Sequence, residues 1–145
     1  MNPLTSTAQQ RADKVREYQR MTTGTDELHR HFLGLTYTDG MLYVADTCGA
    51  HWLLDLVASH QPDIRRKHAA SHQPDIRRKH AADSGFQVWR LKKNGTAWRA
   101  EAWSDTPDKS TMLVKQDCEY SDFPEELSPF EFFVEGGVAL LKEER

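Results

Sequence analysis

The residues best suited to chemistry cluster early in the chain. Asp46, Cys48 and His51 stand within six residues of one another, with His29 and His31 upstream. Aspartate, cysteine and histidine are all zinc ligands, and a Cys-x-x-His spacing at a helix start offers two donors to one ion. A structural zinc site takes four protein ligands, and the second Cys/His doublet that would complete the set is missing, Cys118 standing alone. The competing reading has Asp46 capping a helix, Cys48 buried and His51 on the exposed side. His31 is also a candidate general acid or base with Asp39 or Asp46, because imidazole titrates near neutrality and a carboxylate would hold its tautomer. No nucleophile elbow, phosphate-cradling glycine loop, His-Glu-x-x-His or Cys/His catalytic signature accompanies it. A small metal-binding protein or enzyme centred on His31, Asp46, Cys48 and His51 is therefore the alternative reading, and no cofactor is expected.

The favoured reading lies toward the C-terminus. Asp117, Glu119, Asp122, Glu125, Glu126, Glu131 and Glu135 interleave with Phe123, Phe130, Phe132 and Phe133. A carboxylate face with aromatic anchors suits a basic protein partner, with Glu125, Glu126, Phe130, Glu131 and Phe132 as the expected contacts. The bland counterpart is a solvated sheet face whose charges keep edge strands from pairing with other molecules. Charge is unevenly spread: residues 101–145 hold 12 acids and 4 bases, and residues 1–100 hold 10 acids and 15 bases. The net charge of −3 speaks against nucleic acid as the partner.

These residues need elements to position them. Leu35 to Thr38, Asp39-Gly40 and Met41 to Ala45 suggest two strands about a tight turn. Asp46 or Thr47 then caps a helix whose Ala50, Leu53, Leu54 and Val57 follow the i, i+3, i+4, i+7 spacing of one buried face. Phe86 to Leu91 and Ala97 to Trp103 flank an Asn94-Gly95 turn and predict a hairpin. In Thr111 to Tyr120, alternation puts Val114, Cys118 and Tyr120 on one strand face. Phe130 to Glu135 and Val138 to Leu141, split by Gly136-Gly137, predict a closing hairpin. The expected fold is α+β, a mostly antiparallel sheet built from hairpins with one main helix packed on it. Residues 1–24 are expected as a polar arm, partly helical over Ala8 to Arg20 or disordered, and frayed or loosely docked; residues 25–145 are expected as one domain with a duplicated twelve-residue insertion at about 58–82.

Residues 58–70 recur unchanged as residues 70–82, so the phrase ASHQPDIRRKHA is written twice. An identical pair of twelve lacks the divergence and the period of a solenoid, and indicates a recent in-frame tandem duplication. Each copy carries the grammar of one short helix: Ser59 or Gln61 as cap, Pro62 in the first turn, Asp63 near the positive end and Arg65-Arg66-Lys67 near the negative end. A break near residues 71–73 is expected ahead of Pro74, and Ile64 and Ile76 are not expected to share one core-facing stripe. Deleting one copy would leave 133 residues at a charge of −5, so much of the basic excess comes from the repeat.

At 145 residues, with four Trp, six Phe and four Tyr, the chain is sized for one core. Its longest apolar runs fall far short of the roughly 20 residues that span a bilayer. The first twenty residues lack the apolar centre of a secretory signal, so the expected compartment is the cytoplasm.

The segments Thr23-Gly24-Thr25 with Arg30-His31, Tyr37-Thr38-Asp39-Gly40, Gly49 to Asp55, Phe86 to Leu91 and Tyr120 to Pro124, taken together, resemble the successive signatures of a family of small bacterial and phage proteins of unknown function. The likeness covers about residues 22 to 142. It implies a compact cytoplasmic domain with a single connector where this chain has two, and it supplies no activity. The expected function is a non-enzymatic accessory protein, linked to mobile elements, that binds a partner through the acidic aromatic sheet face.

Overall fold

A computed structural model of the protein describes residues 7–71, 86–104, 112–119, 121 and 123–145. Helix α1 (Ala8–Met21) opens with a capping box: the Thr7 hydroxyl accepts from the Gln10 N–H and the Gln10 side chain accepts from the Thr7 N–H. Strands β1 (Leu28–Arg30) and β2 (Thr36–Thr38) follow, then α2 (Asp39–Cys48) and α3 (His51–Ser71). The chain continues through β3 (Gln87–Asn94), β4 (Ala97–Ser104), β5 (Met112–Cys118), β6 (Phe130–Glu135) and β7 (Val138–Leu141). The seven strands form one sheet in the order β1-β2-β7-β6-β3-β4-β5, antiparallel except where β2 runs beside β7. The architecture is α+β, as the sequence implies.

The β3–β4 and β6–β7 hairpins form where the Asn94-Gly95 and Gly136-Gly137 turns place them. Both turns need glycine, with φ of 67° at Gly95 and 59° at Gly136. Alternation along the strands sends Trp89, Leu91, Trp98, Ala100, Ala102, Val114, Phe130, Phe132, Val134, Ala139 and Leu141 inward. Helix α3 adds Leu53, Leu54, Val57 and Ile64 to this core. Inside it, Gln61 and Gln87 exchange amide hydrogen bonds at 3.0 and 2.9 Å, and the Trp89 indole N–H donates to Gln87 Oε1 at 2.8 Å. This satisfied network ties α3 to β3, because leaving any of its buried polar atoms unpaired would cost about 1–3 kcal/mol.

Three local expectations are corrected. The first hairpin is absent: Asp39-Gly40 begins a helix. Thr38 is its N-cap, accepting from the Met41 N–H, and Met41, Val44, Ala45 and Cys48 are buried at i, i+3, i+4 and i+7. Asp46 and Thr47 consequently lie inside α2, which ends at Gly49 in the left-handed conformation that glycine adopts at low cost. Secondly, α1 is docked rather than frayed. Ala12 and Val15 are fully buried, and Tyr18 stacks on Tyr43 of α2 with ring centres 4.6 Å apart. Thirdly, the first copy of the repeat is no separate helix, because α3 runs unbroken through Pro62 to Ser71. Ile64 is buried, and its counterpart Ile76 lies outside the described residues, as do Thr111, Tyr120 and residues 72–73 of the expected break.

Candidate functional site

The start of α2 gathers residues from four segments. Asp39, the first helical residue, receives N–H donors from Asp26 at 3.0 Å and Glu27 at 3.2 Å on Oδ2. Its Oδ1 meets His29 Nε2 at 2.8 Å, and its own N–H donates to Thr25 Oγ1 at 2.9 Å. These contacts, led by the His29 hydrogen bond and then the Asp26 N–H, hold the Asp39 carboxyl below the usual carboxylate range. Antiparallel pairing of β1 with β2 sets His29 opposite Tyr37, whose ring lies 5.4 Å away. Glu144, from the C-terminal turn, closes the other side: its Oε1 accepts from the Thr38 hydroxyl at 2.6 Å and its Oε2 from the Gly40 N–H at 3.1 Å. Two carboxylates thus sit at the positive end of α2, where they are most favoured.

Beside this network opens a cleft of about 540 Å³ between α1, residues 22–26 and α2. Tyr18 and Tyr43 form its aromatic wall, and Glu17, Asp26 and Lys14 reach its rim. The Tyr18 hydroxyl pKa is raised, first by burial and then by the fields of Glu144, Asp39 and Asp26. Of the charged residues that line the cleft, Glu17 and Asp26 are acidic and Lys14 is basic.

The residues singled out by sequence do not converge. His31 is buried and meets Asp55 at 2.5 Å, while Asp46 pairs with His51 at 2.7 Å on the exposed surface. Cys48 is fully buried, and desolvation pushes its thiol up to about 12, so it holds its proton at neutral pH. None of the four lines the cleft. Among the described residues, the set of three metal-ligand side chains that comes together is Glu27, His29 and Asp39 rather than Asp46, Cys48 and His51.

The acidic sheet face also differs from its expected form. The register of β6 turns Phe130 and Phe132 into the core, 3% and 0% exposed, so neither anchors a partner at the surface. Glu131 is engaged by Arg90 at 2.7 Å and Lys142 at 3.2 Å, and Glu125 lies 3.9 Å from Lys93. The Glu126 backbone carbonyl accepts from Arg16 of α1. Phe133 faces outward but is packed between Phe86 and Arg145. Sequence reasoning missed the cleft because its parts lie on α1, on the Thr22 to Asp26 loop and on α2. The available signal was the pairing of Thr23-Gly24-Thr25 with Tyr37-Thr38-Asp39-Gly40, two of the segments behind the family resemblance, which meet through Thr25 and Asp39.

A family model described as a family of unknown function, DUF6876, matches residues 14–145. No curated protein and no solved structure matches the chain.

Proposed function

Since the chain belongs to the DUF6876 family, whose description carries no activity, we propose from its geometry that it is a non-enzymatic accessory protein that docks a basic protein partner in the acidic aromatic cleft. The bacterial, mobile-element and cytoplasmic setting of the family resemblance is part of the same proposal. The carrying observation is the Tyr18–Tyr43 stack in a cleft that the carboxylates of Glu17 and Asp26 also line. An arginine guanidinium suits such a wall, because it stacks on aromatic faces while its N–H fork reaches carboxylates at the rim. We therefore favour the cleft over the sheet face, where Phe130 and Phe132 are buried and Glu131 is already paired.

Calorimetric titration with an arginine-rich peptide tests this reading. Binding should weaken with added salt, and Asp26→Lys and Tyr43→Ala should each reduce affinity about fivefold, consistent with one cation–π or exposed charge contact of about 1 kcal/mol. Equal affinity for a neutral peptide of the same length would refute it.

A further inference from the structure

We propose that Glu27, His29 and Asp39 form a binding site for a zinc-type divalent transition-metal ion. The three side chains offer one imidazole nitrogen and two carboxylate oxygens, all within 4.8 Å of one another. Zinc bonds to such nitrogen and oxygen donors are about 2.0–2.2 Å long, so in a tetrahedral site two donors stand about 3.3–3.6 Å apart. His29 Nε2 and Asp39 Oδ1 are 2.8 Å apart as a hydrogen-bonded pair, so an ion would replace the proton between them as the two part by about half an ångström. Glu27 is exposed and its carboxylate has no partner among the described residues, which leaves it able to swing inward.

The donor set selects the ion. Imidazole with two carboxylates suits zinc and its neighbours, whereas calcium and magnesium take oxygen ligands in greater number. Three protein donors leave a coordination position to solvent, the arrangement of an open rather than a closed zinc site. The supporting shell is in place: Asp39 is fixed by the Asp26 and Glu27 N–H groups, and Thr25 accepts from the Asp39 N–H while donating to the Glu27 carbonyl at 2.7 Å. Such outer contacts orient ligands and sustain affinity. Asp39 also contributes to the negative field that, after burial, raises the hydroxyl pKa of Tyr18. A bound ion would offset that field, so metal occupancy and docking of a basic partner oppose each other.

The test is titration of the tag-free, metal-stripped full chain with Zn²⁺ by calorimetry and with Co²⁺ by visible absorption. The expected result is one site per chain with cobalt ligand-field bands. His29→Gln and Glu27→Gln should each weaken binding at least tenfold, and His51→Gln should leave it unchanged. Glu27→Gln guards against a folding artefact, because that exposed carboxylate supports no other contact among the described residues. Absence of saturable binding, or binding that survives both His29→Gln and Glu27→Gln or is lost with His51→Gln, overturns the proposal. Neither titration contains peptide, so its outcome is separate from that of the docking experiment.

Discussion

The carboxylate of Glu144 lies over Gly40, accepting its N–H at 3.1 Å, so closely that a Cβ at position 40 would stand 2.4 Å from Glu144 Oε1. The same Cβ would be 2.7 Å from Leu141 Cδ1. A side chain at this place would therefore push the ends of the Glu144 and Leu141 side chains aside and loosen the seal of the C-terminal turn over the start of α2. In an open helix Gly→Ala would gain about 1 kcal/mol. Here Gly40→Ala should destabilise by about 1–3 kcal/mol through overpacking, read as a lowered midpoint in chemical denaturation. The penalty should shrink in a Glu144→Ala background, since contacting residues are not additive.

The His31 side chain pins the turn after β1. Its Nδ1 accepts from the Leu33 N–H at 3.0 Å, which leaves the proton on Nε2 to be donated to Asp55. His31→Ala should cost about 1–3 kcal/mol, because it removes a buried hydrogen-bonding group and leaves its partners short. Asp55→Asn should cost less than about 1 kcal/mol, because the Asp55 side chain is 60% exposed and solvent replaces the contact. Equal losses in the two variants would contradict this division of roles.

Thiol reactivity separates the two cysteines. Cys48 is fully buried with its thiol pushed up to about 12, whereas Cys118 is partly exposed and its thiol is raised, chiefly by burial. A thiol reagent at neutral pH should modify Cys118 first and reach Cys48 only with unfolding. Rapid labelling of both in the folded protein would refute the burial of Cys48.

How much of this was legible in sequence depended on whether a local pattern had one solution. The Asn94-Gly95 turn between alternating strands admits one reading, and the hairpin forms there. Thr38-Asp39-Gly40 admits two, since Asp-Gly favours a hairpin turn while Thr followed by Asp favours a helix start. Spacing of Met41, Val44, Ala45 and Cys48 decides for the helix, a signal present in the chain but overshadowed by the short apolar run. On β6, Phe132 and Phe133 are neighbours of one type, and only pairing of Phe132 with Trp89 and Leu141 shows which turns inward. The cleft and the Asp39 network depend on contacts between residues 10 to 25 apart, or more than 100 apart for Glu144, which local periodicity does not encode.

Acid should weaken the fold partly through Glu131. Burial raises its pKa, but the hydrogen bonds from Arg90 and Lys142 outweigh this and leave it lowered. A carboxylate with a lowered folded pKa contributes stability that is present above its unfolded value, about 4.3, and is lost as pH falls through the folded value. Thermal midpoints measured from pH 7 down to pH 3 should fall more steeply below about pH 4.3 for the wild type than for Glu131→Gln. Parallel curves would show that this triad carries no linked protons.

The central claim, that the cleft between α1, the Thr22 to Asp26 loop and α2 docks a basic partner, is tested most directly by amide chemical-shift mapping of the full chain during titration with an arginine-rich peptide. The account predicts saturable shifts at Tyr18, Thr22 to Asp26 and Tyr43, and no response to a glutamate-rich peptide of equal length. An unresponsive spectrum, or shifts confined to the outer sheet face around Arg90, Glu131 and Lys142, would contradict it.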